Sequence, residues 1–150
     1  IVPPLRRIGI LDRKLRIVNE NTNTYEEWLK WAVRAFEASY GYEYQGDNVL
    51  IARINLLLTF TDYYEERWER HPDDKLLQQM ANKIAWNIWQ MDGLKDTVPL
   101  GKPYEEFRQI KLFDMFGDTQ DDEDEPEAVP CRIYNWRSKT SMKFMDLKEI

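Results

Sequence analysis

Tyr40-Gly41-Tyr42-Glu43-Tyr44-Gln45-Gly46-Asp47-Asn48 runs without a break into Val49-Leu50-Ile51-Ala52-Arg53-Ile54-Asn55-Leu56-Leu57-Leu58. The first five residues read as a short buried strand, with Gly41 permitting close backbone packing. Gly46-Asp47-Asn48 reads as a tight turn, and Asp47 can cap the helix that follows. A strand that turns directly into an apolar helix argues for an α/β fold. In open α/β sheets ligands bind beyond the carboxyl ends of strands, where an acid at the tip of the second strand commonly holds ribose hydroxyls. Glu43 stands at such a point, which makes it the first candidate site residue.

The helix is expected from Asn48 to about Arg70. Its first half is apolar nearly all round, the mark of a helix covered on more than one side. Its second half, Tyr63-Tyr64-Glu65-Glu66-Arg67-Trp68-Glu69-Arg70, is charged and is expected to project into water, with Tyr63, Tyr64 and Trp68 as a partner surface in the less favoured reading. Upstream, Thr24 can cap a helix and Glu27 can complete a capping box. That helix is expected from Tyr25 to about Ser39, with Trp28, Ala32, Ala35, Phe36 and Ser39 on one face and Trp31 and Val33 broadening it. Before the polar spacer Asn19-Glu20-Asn21-Thr22-Asn23, Ile8, Leu11, Leu15 and Val18 recur at helical spacing, while Pro3-Pro4 keeps the first residues extended. Downstream, His71-Pro72-Asp73-Asp74 breaks the chain, and Asp73 or Asp74 caps a helix with Leu76, Leu77, Met80, Ala81 and Ile84 inward. A short strand around Ala85 to Gln90 and a turn at Met91-Asp92-Gly93 follow.

Beyond Leu94, Pro99, Gly101 and Pro103 make a loop, Tyr104 to Phe116 reads as a short helix, and Cys131 to Trp136 with Met142 to Met145 resembles a hairpin. The expected fold is therefore α/β and helix-rich, a single domain over residues 1–150 with a small parallel sheet and a C-terminal hairpin.

At 150 residues and 43% hydrophobic composition, a real core is affordable and disorder is excluded as a description of the whole chain. The longest apolar runs fall short of the roughly 20 residues a membrane helix needs, so no membrane association is expected. The lone Cys131 has no internal disulfide partner, and a reducing cytoplasmic setting is expected. His71 is the only histidine, and a metal site is not expected. Net charge is −6, yet it is local: between Asp114 and Glu127 stand eight acids and no base, leaving 19 acids against 21 bases elsewhere. Such a block is usually a solvated loop. The functional alternative is an imitation of phosphate charge directed at a nucleic-acid-binding protein.

Tyr40-Gly41-Tyr42-Glu43, with Asp47, Asn48, Val49, Ala52, Arg53 and Leu56, resembles the second conserved segment of the adenine-N6 DNA methyltransferases of restriction-modification systems. Asn87-Ile88-Trp89-Gln90-Met91-Asp92-Gly93-Leu94 is similar to the third segment of that family, a strand ending in a Gly-Asp pair. The resemblance implies a reduced Rossmann-like methyltransferase fold and S-adenosylmethionine as cofactor. Glu43 would accept hydrogen bonds from its ribose hydroxyls, Tyr44 would lie against its adenine, and Asp92 would accept from the exocyclic amine, roles that suit carboxylates and an aromatic face.

The chain also departs from the family pattern. Met91 stands where the family has Gly, and only Gly9 precedes the Ile8-to-Val18 helix where the family has a glycine-rich loop. No segment of the form Asn/Asp-Pro-Pro-Tyr/Phe, which holds the flipped adenine, occurs, so no catalytic residue is assigned. The expectation is a degenerate or partial methyltransferase domain of a restriction-modification or phage system, inactive by itself and meeting DNA only indirectly. Another protein chain, a second copy or the C-terminal hairpin is expected to cover the open strand edge. The alternative is a non-enzymatic binding protein, an acidic inhibitor of phage type aimed at a nucleic-acid defence enzyme.

Overall fold

In the computed structural model, which describes residues 2–99 and 129–148, helices and short strands follow one another in a mixed, helix-rich α/β arrangement. Contacts divide the chain into two compact units, Ile1–Trp89 and Gln90–Ile150, each taken by itself below.

The first unit is built on helix pairs. α1 (Ile10–Asn21) buries Leu11, Leu15 and Val18, three of the four positions the spacing pointed to. Ile8 lies before the helix and is 93% exposed. Gly9 precedes α1, and a Cβ there would collide with the Asp12 carboxylate. α2 (Tyr25–Glu37) starts where Thr24 Oγ1 accepts the Glu27 amide at 3.3 Å, while Glu27 Oε2 accepts from the Asn23 amide at 3.3 Å. The capping box thus closes one residue earlier than its usual form. Trp28, Ala32, Ala35 and Phe36 face inward. Trp31 does not broaden that face: it is half exposed, with the Arg34 guanidinium over its ring.

After β1 (Gly41–Glu43) the chain forms α3 (Gly46–Trp68), ended by Glu69 in the left-handed region at φ 50°. α4 (Asp74–Asn87) begins on Asp73, whose Oδ1 accepts the Leu76 amide at 2.7 Å, and buries Leu76, Met80 and Ile84 as its spacing predicts. β2 (Ile88–Gln90) then pairs with β1 in a two-stranded parallel sheet. Because α3 and α4 both lie between the strands, the connection has the length that parallel pairing demands.

α3 reverses the burial expected of it. Leu50, Ile51, Ile54 and Leu58 in the apolar half are each at least 50% exposed, whereas Tyr63 and Tyr64 in the charged half are core, as is Phe60 at the end of the apolar run. Aromatic packing explains the reversal: Trp28 of α2 meets Phe60, Tyr64 and Trp68 with ring centroids 5.7 to 6.1 Å apart, and Phe36 meets Phe60 at 5.8 Å. Large rings gain most from leaving water, and edge-to-face pairing adds to that gain. Glu65, Glu66 and Arg67 stay outside on the opposite face. The less favoured reading of Tyr63, Tyr64 and Trp68 as a partner surface is therefore replaced by a core role.

Two tyrosines, Tyr63 in the core and Tyr25 partly buried against it, give this unit an alkaline limit. The Tyr63 hydroxyl donates to Pro4 O at 2.6 Å, and burial, with Asp12 as a second cause, pushes its pKa up to about 12. Burial also raises Tyr25 to about 12, followed by its hydrogen bond with Tyr64. The unfolded chain ionises near 10, so between these values it releases protons that the folded chain keeps. Stability is expected to hold up to about pH 10 and to fall as pH rises toward 12, read from denaturant midpoints across that range. Tyr63→Phe should flatten the slope, because Phe has no proton to lose.

In the second unit, β3 (Arg132–Asn135) and β4 (Thr140–Lys143) form an antiparallel hairpin in the register Arg132↔Lys143 to Asn135↔Thr140, close to the two predicted runs. A turn from Asp92 to Thr97 precedes it in sequence, closed by an Asp92↔Thr97 bridge, and Thr97 also bridges Pro130. Asp96 sits in the left-handed region at φ 56°, buried, with both carboxylate oxygens held by Lys148 Nζ at 2.9 and 2.6 Å. Cys131 is buried, and burial, then Asp96, push its thiol up to about 11, which keeps it protonated and unreactive near neutrality. The expected helix from Tyr104 to Phe116 and the acidic block from Asp114 to Glu127 lie outside the described residues.

Candidate functional site

β1 ends on Glu43, and two residues separate it from α3. Its carboxylate folds back on the chain: Oε1 accepts from the Tyr44 amide at 3.0 Å and the Gln45 amide at 3.3 Å. Short acids commonly bond amides one and two residues ahead in turns, and here a glutamate does so. Among the described residues, Oε2 has no hydrogen bond, which leaves one carboxylate oxygen available as an acceptor. The positive end of the α3 dipole follows immediately, which favours a carboxylate at this point. Gln45 flanks α3 without capping it, and its side chain instead accepts from Asn48 Nδ2 at 3.3 Å. Tyr44 is 48% exposed, which leaves much of its ring surface accessible to solvent. Tyr42 in β1 meets Trp89 in β2 at 6.0 Å.

A frame of polar side chains surrounds the start of β1. The last carbonyls of a helix have no partner within the helix. At and just beyond the end of α2, side chains supply donors: Asn87 Nδ2 donates to Phe36 O at 2.8 Å, which also accepts the Ser39 amide at 3.0 Å, to Glu37 O at 3.1 Å and to Ser39 O at 3.2 Å, and Lys14 Nζ donates to Ala38 O at 3.0 Å. Asn87 is 1% exposed and directly precedes β2. Arg53 of α3 adds a second tie, donating to Ala85 O at 3.0 Å and Ile88 O at 2.8 Å. Sequence reasoning placed Asn87 and Arg53 only within segments of resemblance and missed these roles, because the acceptors lie 32 to 51 residues away.

Asp92, the third predicted site residue, belongs to the other unit and follows β2 by two residues. Its Oδ1 accepts from the Leu94 amide at 3.0 Å, its own amide donates to Thr97 O at 2.9 Å, and its carbonyl accepts from the Asp96 amide at 2.8 Å. It therefore shapes a turn with the same carboxylate that the resemblance assigns to a ligand. Glu43 and Tyr44 are adjacent at one strand end; Asp92 is described only within its own unit.

Two depressions in the described surface lie elsewhere. One, of about 450 Å³, is lined by Leu5, Arg16, Asn19, Glu20, Glu66 and Arg67, and none of the predicted site residues borders either. Arg16, Arg67, Glu20 and Glu66 bring charges of both signs to the first. Among the described residues no three His, Cys, Asp or Glu side chains gather into a group that could hold a metal ion, and no helix is long and apolar enough to cross a membrane.

No family model, no curated protein and no solved structure matches the chain.

Proposed function

We propose that this chain carries the nucleoside-binding side of an S-adenosylmethionine-dependent adenine-N6 DNA methyltransferase domain, Rossmann-like in origin and inactive by itself. The observation that carries this reading is the parallel pair β1–β2, spanned by a helical connection, with an acid closing the first strand and another two residues past the second. A carboxylate at a strand end with one free oxygen is suited to accept from a ribose hydroxyl, and an accessible tyrosine ring beside it is suited to a purine face. Glu43 is the ribose acceptor in this reading and Tyr44 the adenine neighbour. Asp92 is assigned to the exocyclic amine by the resemblance alone. Transfer of the methyl group to DNA would require an Asn/Asp-Pro-Pro-Tyr/Phe segment from another polypeptide or another part of the protein.

Thermal melting with and without S-adenosylmethionine tests the reading. A ligand at 100 times its Kd stabilises the folded state by about 2.7 kcal/mol, enough to move the midpoint by several degrees. A rise in midpoint is expected for the unaltered chain and a clearly smaller rise for Asp92→Ala. An equal rise in Asp92→Ala would remove Asp92 from the site, and no rise in the unaltered chain at millimolar ligand would count against the whole reading.

A further inference from the structure

Asn87 is a buried side chain that joins the end of α2, the approach to β1 and the start of β2. Its amide group has two protons, and they are shared among three carbonyls, Phe36 O, Glu37 O and Ser39 O, at 2.8 to 3.2 Å. Ser39 lies two residues before β1, and Ile88, next to Asn87, opens β2. The Ser39 amide still reaches Phe36 O at 3.0 Å, but the chain turns from helix to strand at Ser39 and Tyr40, and the helical ladder ends there. Buried carbonyls left without donors are costly, and a side-chain amide is the donor that serves several at once. From these contacts we infer that Asn87 is a positioning residue for Glu43: it sets where β1 begins relative to β2 and so where the ribose-accepting carboxylate stands.

This role rests on the reading of Glu43 as a ligand acceptor, and it is more specific than a contribution to stability. Loss of the Asn87 amide frees the α2–β1 junction, while the aromatic core is held by ring packing of Trp28 and Phe36 on Phe60. The effect should therefore concentrate at the strand end. A core substitution such as Met80→Ala, at a fully buried position of α4, destabilises the unit without removing any of these three hydrogen bonds. It is the matched control.

The experiment titrates S-adenosylmethionine into the full 150-residue chain and into Asn87→Ala, Asn87→Asp and Met80→Ala, at a temperature where circular dichroism shows each folded. Asn87→Ala is expected to bind at least tenfold more weakly than the unaltered chain, Asn87→Asp more weakly still because an ionised carboxylate faces three carbonyls, and Met80→Ala within twofold. Equal affinity in Asn87→Ala, or equal losses in Asn87→Ala and Met80→Ala, would overturn the positioning role. Failure of the unaltered chain to bind would count against the cofactor reading instead, and the amide resonances of Glu43, Tyr44 and Gln45 then decide the positional part. Displacement in Asn87→Ala but not in Met80→Ala sustains it, and resonances unmoved in both overturn it.

Discussion

Trp28→Ala is expected to lower the unfolding free energy of the first unit by about 4 kcal/mol, the largest loss of any single substitution in that unit. Trp28 is fully buried, and its ring meets Phe60, Tyr64 and Trp68. Its indole Nε1–H donates to Asn19 Oδ1, so α1, α2 and α3 are all tied to one side chain. Truncation removes the transfer free energy of the indole, leaves a cavity that three neighbouring rings cannot all close, and strips Asn19 of its donor. Against a typical total of roughly 5–15 kcal/mol, the unit would be near the edge of folding at 37 °C. Trp28→Phe keeps most of the ring area and should recover more than half of the loss. Denaturant unfolding of both variants checks the order, and a loss below about 1.5 kcal/mol for Trp28→Ala would place the core elsewhere.

Glu43→Ala carries the largest expected effect on binding. A hydrogen bond to a charged group contributes about 1.5–3 kcal/mol, which corresponds to roughly a 10- to 150-fold loss of affinity for S-adenosylmethionine. The structure refines this expectation, because Oε1 is already engaged by the Tyr44 and Gln45 amides and Oε2 has no hydrogen bond among the described residues. The two amides hold the carboxylate in one orientation before any ligand arrives, and such preorganisation reduces the entropy lost on binding. Glu43→Gln keeps an acceptor for the two amides but turns a neutral group toward the ribose, so it should lose less than Glu43→Ala and keep its fold. Similar affinities for Glu43→Gln and Glu43→Ala would show that charge, and not the shape of the turn, is what the ligand uses.

The helices were legible because their signals are local. Thr24 and Asp73 are caps within three residues of the amides they satisfy, and Leu11, Leu15, Leu76, Met80 and Ile84 mark inner faces by spacing alone. The small parallel sheet was expected with the Rossmann-like fold that the resemblance implies, and the helical stretch between the two strands has the length that such pairing needs. α3 was not, since an apolar run tells only that surface is available to bury. Which half is covered depends on partners such as Trp28 and Phe36, more than 20 residues away in sequence. The charged half misled for the same reason, because Glu65, Glu66 and Arg67 alternate with rings that point the other way.

Of the candidate site, the acids at strand ends could be read directly, because strand and turn signals surround them. The engagement of Glu43 Oε1 and Asp92 Oδ1 by nearby backbone amides could not, since it depends on turn geometry. Asn87 was beyond reach for another reason: three carbonyls about 50 residues upstream define its role, and nothing in its own neighbourhood marks it.

Calorimetric titration of S-adenosylmethionine into the purified chain, with Glu43→Ala run in parallel, addresses the nucleoside-binding site most directly. Saturable binding by the unaltered chain, weakened at least tenfold in Glu43→Ala, is the expected result. Absence of heat up to millimolar ligand, or equal affinity in the two chains, would contradict a nucleoside site at the end of β1.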